Sequence, residues 1–361
     1  MIAAQVKPED LDQLVLEEVP DPEPGPDDVV VQVVSAAVAA GTFLLLKTPA
    51  FPLFPTILGH EIAGEVVEVG SAVDPGLLGK RVRVHPLLGC GSCEYCAADD
   101  EMLCREHSMM GHAVFGPDAL KHYRRYHNGG LAEKVLVPRG NIDVLPDRIG
   151  FDVAAKIHDI ANAYRALTKA ELVPGSTIVV TAATGAMGTS VIALAPCFGV
   201  SRIIAVGRTA ERLEEVRQLD PDRVRTVVLG DDDAPEAVVG SVRAIAPDGV
   251  HAVIDFLPGG PGLAKLFGSI RAGGRIVHMG MSKEPLLIPQ IAMAVNCISF
   301  VGTRSCTRAD VQQVMRIVEA EPERFERLIT HRFPLSEVGA ARRIFESRSE
   351  PVWLAVIHPG S

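Results

Sequence analysis

The chain reads as an α/β protein of two domains, one rich in strands and one a doubly wound parallel sheet. Three features predict this. Its 361 residues are enough for two separate cores. Up to about residue 150, β-branched runs are bounded by Pro and Gly, as strands are. From about 151 to 295, strand and helix patterns alternate, and crossovers between parallel strands need that length. A hydrophobic share of 47% with 22% charged residues suits a globular protein. The formal charge of −10, without a basic patch, argues against nucleic acid as a partner.

Taken in order, DDVVVQVVSAAV and EIAGEVVEVG are the first clear strands. The polar segment from Glu106 to Gly130 holds His107, His112, His122 and His127 with Arg124-Arg125. These histidines lack i, i+4 spacing, so a solvated loop is predicted there. STIVVTAA then reads as a strand, Met187–Cys197 as a helix, RIIAVG as a strand and Ala210–Leu219 as a helix. TVVLG, a helix opening after Asp231-Asp232-Asp233, HAVIDFL, a helix after Pro261 and GGRIVHMG continue the rhythm. Helices at 308–319 and 336–347 and the strand VWLAVI close the chain. The opening MIAAQVKPEDLDQ turns polar early and reads as no export signal. The apolar stretch Leu286–Val301 is broken by Pro289, Gln290 and Asn296, so no membrane span is expected.

Cys90, Cys93, Cys96 and Cys104 form a C-x2-C-x2-C-x7-C cluster. Four thiolates so close together can surround one Zn²⁺, and a full sulfur shell leaves no position for substrate, so the cluster reads as a structural zinc lobe. An iron–sulfur cluster is the competing use of four soft ligands. Thiols held on metal, with no export signal, place the protein in the cytoplasm. Cys197, Cys297 and Cys306 lie in apolar stretches and read as packing residues.

Ala183-Thr184-Gly185-Ala186-Met187-Gly188 follows the STIVVTA strand and opens a helix. Gly185 would let backbone approach a pyrophosphate, Gly188 would let helix pack on strand, and the helix N-terminus would face the phosphates. The next strand ends in Gly207-Arg208-Thr209, where an NAD site places a carboxylate for the ribose 2′-hydroxyl. A guanidinium there can instead bind a 2′-phosphate, which points to NADP(H). The competing use of Arg208 is a surface pair with Glu211 or Glu214.

Upstream of the cysteines stands Gly59-His60-Glu61, in PTILGHEIAGEVVEVG. This motif, the cysteine cluster and the dinucleotide-type turn, in that order, resemble the medium-chain zinc-containing alcohol dehydrogenase superfamily from about residue 20 to the end. The resemblance implies a GroES-like catalytic domain over 1–150 and 296–361, with the zinc lobe at 88–106, and a Rossmann domain over 151–295. It implies a homodimer or homotetramer, paired through the segment near Ile291–Gly302. It also implies a catalytic zinc, and here the chain is atypical. The family's Cys-Gly-Thr/Ser-Asp step corresponds to Ala40-Gly41-Thr42-Phe43, which lacks both the thiolate and the aspartate. Thr42 matches the hydroxyl that relays a proton from the substrate oxygen. His60 matches a zinc ligand, with Glu61 beside it. Counting back from Tyr164 puts His158 at the third ligand place, with Asp159 next to it.

Two chemistries remain open. In one, a second zinc binds His60, His158 and a carboxylate of Glu61 or Asp159, and polarises a carbonyl. In the other that centre holds no metal, and Thr42, His60 or His158 steadies the developing oxyanion. The function implied is NADP(H)-dependent interconversion of an alcohol and a carbonyl on a small or medium organic substrate. The alternatives are zinc-independent reduction of a C=C bond conjugated to a carbonyl, of the enone or quinone reductase type, and a non-catalytic NADPH-binding sensor.

Overall fold

The structure is a computed structural model and describes residues 1–37, 39–259, 261–281, 285–347 and 349–360. Among these residues no helix is long and apolar enough to cross a membrane. The chain forms two compact units, Met1–His158 with Thr307–Ser361, and Asp159–Cys306.

The first unit is built on a mostly antiparallel sheet centred on the strand Asp28–Ala37. Its Val-rich sequence suits a buried strand, and Val29, Val31 and Val33 enter the core with Ile62, Val66, Val82 and Val84. Glu61–Val69 pairs with it antiparallel, with Ala37 opposite Glu61. Lys134–Pro138 also pairs with it. The closing strand Leu354–His358 joins the same sheet through Ile357 opposite Ala36, so the tail returns to the first domain.

In the second unit six parallel strands are β1 (Thr177–Val180), β2 (Arg202–Gly207), β3 (Val224–Val228), β4 (Val250–Asp255), β5 (Ile270–His278) and β6 (Ser299–Gly302). Their order is β3-β2-β1-β4-β5-β6, that of dinucleotide-binding sheets, in which ligands sit beyond the carboxyl ends at the β1/β4 switch point. Val179, Ile204, Val253 and Ile276 fill its core. The units divide later along the chain than residues 150 and 295, because β6 pairs with β5 and stays with the parallel sheet.

Residues 106–130 are not the solvated loop that their polarity predicts. The segment contains the helix Leu120–Tyr126, and His107 and His112 are buried. Gly111, Gly116 and Gly129 explain this: a Cβ on each would strike backbone at 2.6, 2.0 and 2.3 Å, so the chain packs tightly only because these residues have none. Cys197 and Cys297 are exposed rather than packed, the first within the short turn Ala195–Phe198 and the second just past the helix Gln290–Val295, while Cys306 is buried as expected.

Candidate functional site

Cys90, Cys93, Cys96 and Cys104 converge, all four sulfurs lying within 4.8 Å of one another. Sulfurs bound tetrahedrally to zinc at ~2.3 Å stand roughly 3.8 Å apart, so the set fits one such ion. Backbone N–H groups support it, with Cys93 N donating to Cys90 Sγ at 3.3 Å and Glu106 N to Cys104 Sγ at 3.3 Å. The Ser92 and Cys93 N–H groups pull the Cys90 thiol down to about 6. Burial pushes Cys96 up to about 12 and raises Cys104. Those thiols need a cation beside them to ionise, and a metal held by the four sulfurs would be that cation.

The dinucleotide-type turn stands beyond the carboxyl end of β1. Ala182 takes φ +46°, and the helix α1 (Ala186–Leu194) starts at Gly185 with no side chain capping its first turn. The N–H groups there are left for an anion. Thr184, Gly185, Ala186 and Met187 are partly exposed, whereas Ala183 and Gly188 are buried. A Cβ on Gly188 would meet Ala183 Cα at 2.5 Å and Ala182 O at 2.8 Å. A Gly188→Ala variant is therefore expected to lose about 1–3 kcal/mol by overpacking, read as a lowered Tm. An unchanged Tm would contradict the close packing.

At the end of β2, Gly207 packs near Thr184, where a Cβ would lie 3.5 Å from Thr184 Cγ2. Arg208 and Thr209 follow, both exposed. Glu214 is taken by Arg217 Nε at 2.7 Å and by Gln218. Arg208 makes no ion pair among the described residues, which leaves its guanidinium open to a phosphate.

The residues predicted for the reaction belong to the first unit, apart from Asp159. Thr42 lies in the short helix Ala40–Leu46, fully buried, and its Oγ1 has no hydrogen-bond partner among the described residues. His60 precedes the strand Glu61–Val69, at a Gly59 with φ +98°. His158 stands on the helix Phe151–Lys169, and its ring meets His60 edge-on at 5.4 Å. His112 stacks on His60 at 4.7 Å. Gly59 N donates to Gly111 O at 3.1 Å and Gly130 N to Gly59 O at 2.7 Å, which holds the two Gly-His steps together. Burial holds His158 well below its ordinary range, with His60 and Arg83 adding to the effect, and burial does the same to His112. Both rings are therefore neutral. Glu61 is wholly buried and receives Lys156 Nζ at 2.6 Å; Lys156 is also buried. Asp159 is buried beside His158 in sequence.

Two family descriptions match this chain: the alcohol dehydrogenase GroES-like domain over residues 25–147 and the zinc-binding dehydrogenase over 186–320. The L-threonine 3-dehydrogenase of Saccharopolyspora erythraea is 29% identical over 341 residues, covering 92% of each chain. The acryloyl-coenzyme A reductase of Metallosphaera sedula is 28% identical over 306 residues, 83% of each. Among solved structures, the alcohol dehydrogenase TADH from Thermus sp. ATN1 superposes with a TM-score of 0.84 at 25% identity, covering 99% of both chains. The chain belongs to the medium-chain dehydrogenase/reductase superfamily.

Around Gly59-His60-Glu61 the donors are few. Ala40 offers no thiolate, and Glu61 already holds an ammonium. Among the described residues, only the four cysteines bring three or more His, Cys, Asp or Glu ligand atoms within 4.8 Å of one another. His60, Glu61, His158 and Asp159 thus do not gather into a ready ligand set for a second metal. Sequence reasoning missed Lys156 and His112. The repeated Gly-His step, at 59–60 and 111–112, was the one signal for His112; a lone lysine on a helix gave none for Lys156.

Proposed function

We propose that this protein is an NADP(H)-dependent oxidoreductase that interconverts an alcohol and a carbonyl on a small or medium organic substrate. The observation that carries this reading is the turn Ala183–Gly188 at the switch point of the parallel sheet, followed across β2 by Arg208, which makes no ion pair among the described residues. Support for the direction of chemistry comes from a relative named as a dehydrogenase that aligns over 92% of the chain. Bound NADP(H) supplies or accepts the hydride. Gly185 and the first turn of α1 would hold its pyrophosphate, and Arg208 its 2′-phosphate. Thr42 would pass a proton to or from the substrate oxygen, because its buried hydroxyl has no competing partner among the described residues. The imidazoles of His60 and His158 would orient that oxygen by hydrogen bonding. Zinc on Cys90, Cys93, Cys96 and Cys104 would hold the lobe and take no part in the reaction.

A second reading is reduction of a C=C bond conjugated to a carbonyl. The relative named for acryloyl-coenzyme A reduction favours it, and so does a reaction site whose donors do not converge on a second metal. Following NADPH absorbance against matched ketones, aldehydes and enones tests both readings. Turnover of a simple ketone or aldehyde supports the first, and turnover confined to enones supports the second. Tight NADPH binding with no turnover on any of them would leave only a sensor.

A further inference from the structure

We propose that Lys156 replaces a metal ion in this protein: its ammonium neutralises Glu61 and keeps a second divalent ion out of the site at His60 and His158. The inference rests on reading those histidines as the reaction site. Glu61 follows His60 directly, and Lys156 lies two positions before His158 on the same helix. The two chain segments that bring the imidazoles together therefore also bring the carboxylate and the ammonium together. Nζ and Oε2 are 2.6 Å apart, with side-chain exposures of 4% and 0%.

A buried ion pair is a poor device for stability, since apolar residues of similar volume in its place are commonly neutral or better. Its place in sequence, Glu61 directly after His60 and Lys156 two residues before His158, has a chemical reading instead. A divalent ion bound by His60 and His158 would need a negative ligand, and the carboxylate next to His60 in sequence, that of Glu61, is already committed to a cation. The same ion would sit near a fixed positive charge buried where water screens it little. The absent thiolate at Ala40 fits the same exchange: a +2 ion with thiolate and carboxylate ligands gives way to a +1 ammonium with the carboxylate alone.

Metal uptake tests this without any substrate, so an inactive panel of carbonyls leaves it standing. Purified protein is loaded with excess cobalt(II), dialysed, and its metal counted per chain. The wild type is expected to keep one equivalent, on the four cysteines, and Lys156→Ala two, because Glu61 becomes a ligand. Two equivalents on the wild type, or one on folded Lys156→Ala, would overturn the proposal. Should Lys156→Ala not fold alone, its refolding is followed by circular dichroism with and without added cobalt. Cobalt-dependent refolding supports the exchange, and failure with cobalt at every concentration that loads the wild type overturns it.

Discussion

A Cys93→Ser variant is expected to lose the lobe's metal and the lobe's fold together. Cys93 sits just before the four-residue helix Glu94–Ala97, and its sulfur is one corner of the cluster. The apolar support there is slight: Leu87, Met102 and Met109 form a small buried cluster of their own. So few residues cannot offset the ordering of the segment, whereas a structural zinc in small domains contributes about 10–16 kcal/mol of binding that is also folding free energy. Zinc content should fall by about one ion per chain, and limited proteolysis should cut first between residues 88 and 106. A variant that lost turnover while keeping an intact, protease-resistant lobe would show that the cluster takes part in the chemistry.

Arg208→Ala is expected to weaken NADPH binding on the order of 10- to 100-fold and to leave NADH nearly unchanged. A charge-assisted hydrogen bond contributes about 1.5–3 kcal/mol, which is roughly that range in Kd. Arg208 is exposed, so the lower half of the range is the better expectation. Fluorescence titration with both cofactors measures it. Equal weakening for NADPH and NADH would mean that the guanidinium does not read the 2′-phosphate.

Much of this architecture was legible in the sequence because it is written in local signals. Alternating strand and helix patterns carried the parallel sheet, and cysteine spacing carried the lobe, whose sulfurs need only short-range folding to meet. Long-range pairing was less visible. Nothing local to Lys156 shows that it meets Glu61, 95 positions away, and a lysine is by type a surface residue. His112 looked solvated because its segment is polar as a whole, yet Gly111 and Gly129 let its backbone close against Gly59. Cys197 and Cys297 looked packed because their neighbours are apolar, yet both are exposed. In each case neighbours in sequence gave one answer and neighbours in space another.

The fate of the hydride tests the central claim most directly. With NADPH carrying deuterium at the transferable position of C4 and an unsaturated aldehyde such as cinnamaldehyde, NMR of the product shows which carbon received the label. Alcohol–carbonyl chemistry predicts deuterium on the former carbonyl carbon, with the C=C bond intact. Deuterium on the β-carbon, with the carbonyl retained, would contradict it and make this protein a reductase of conjugated double bonds.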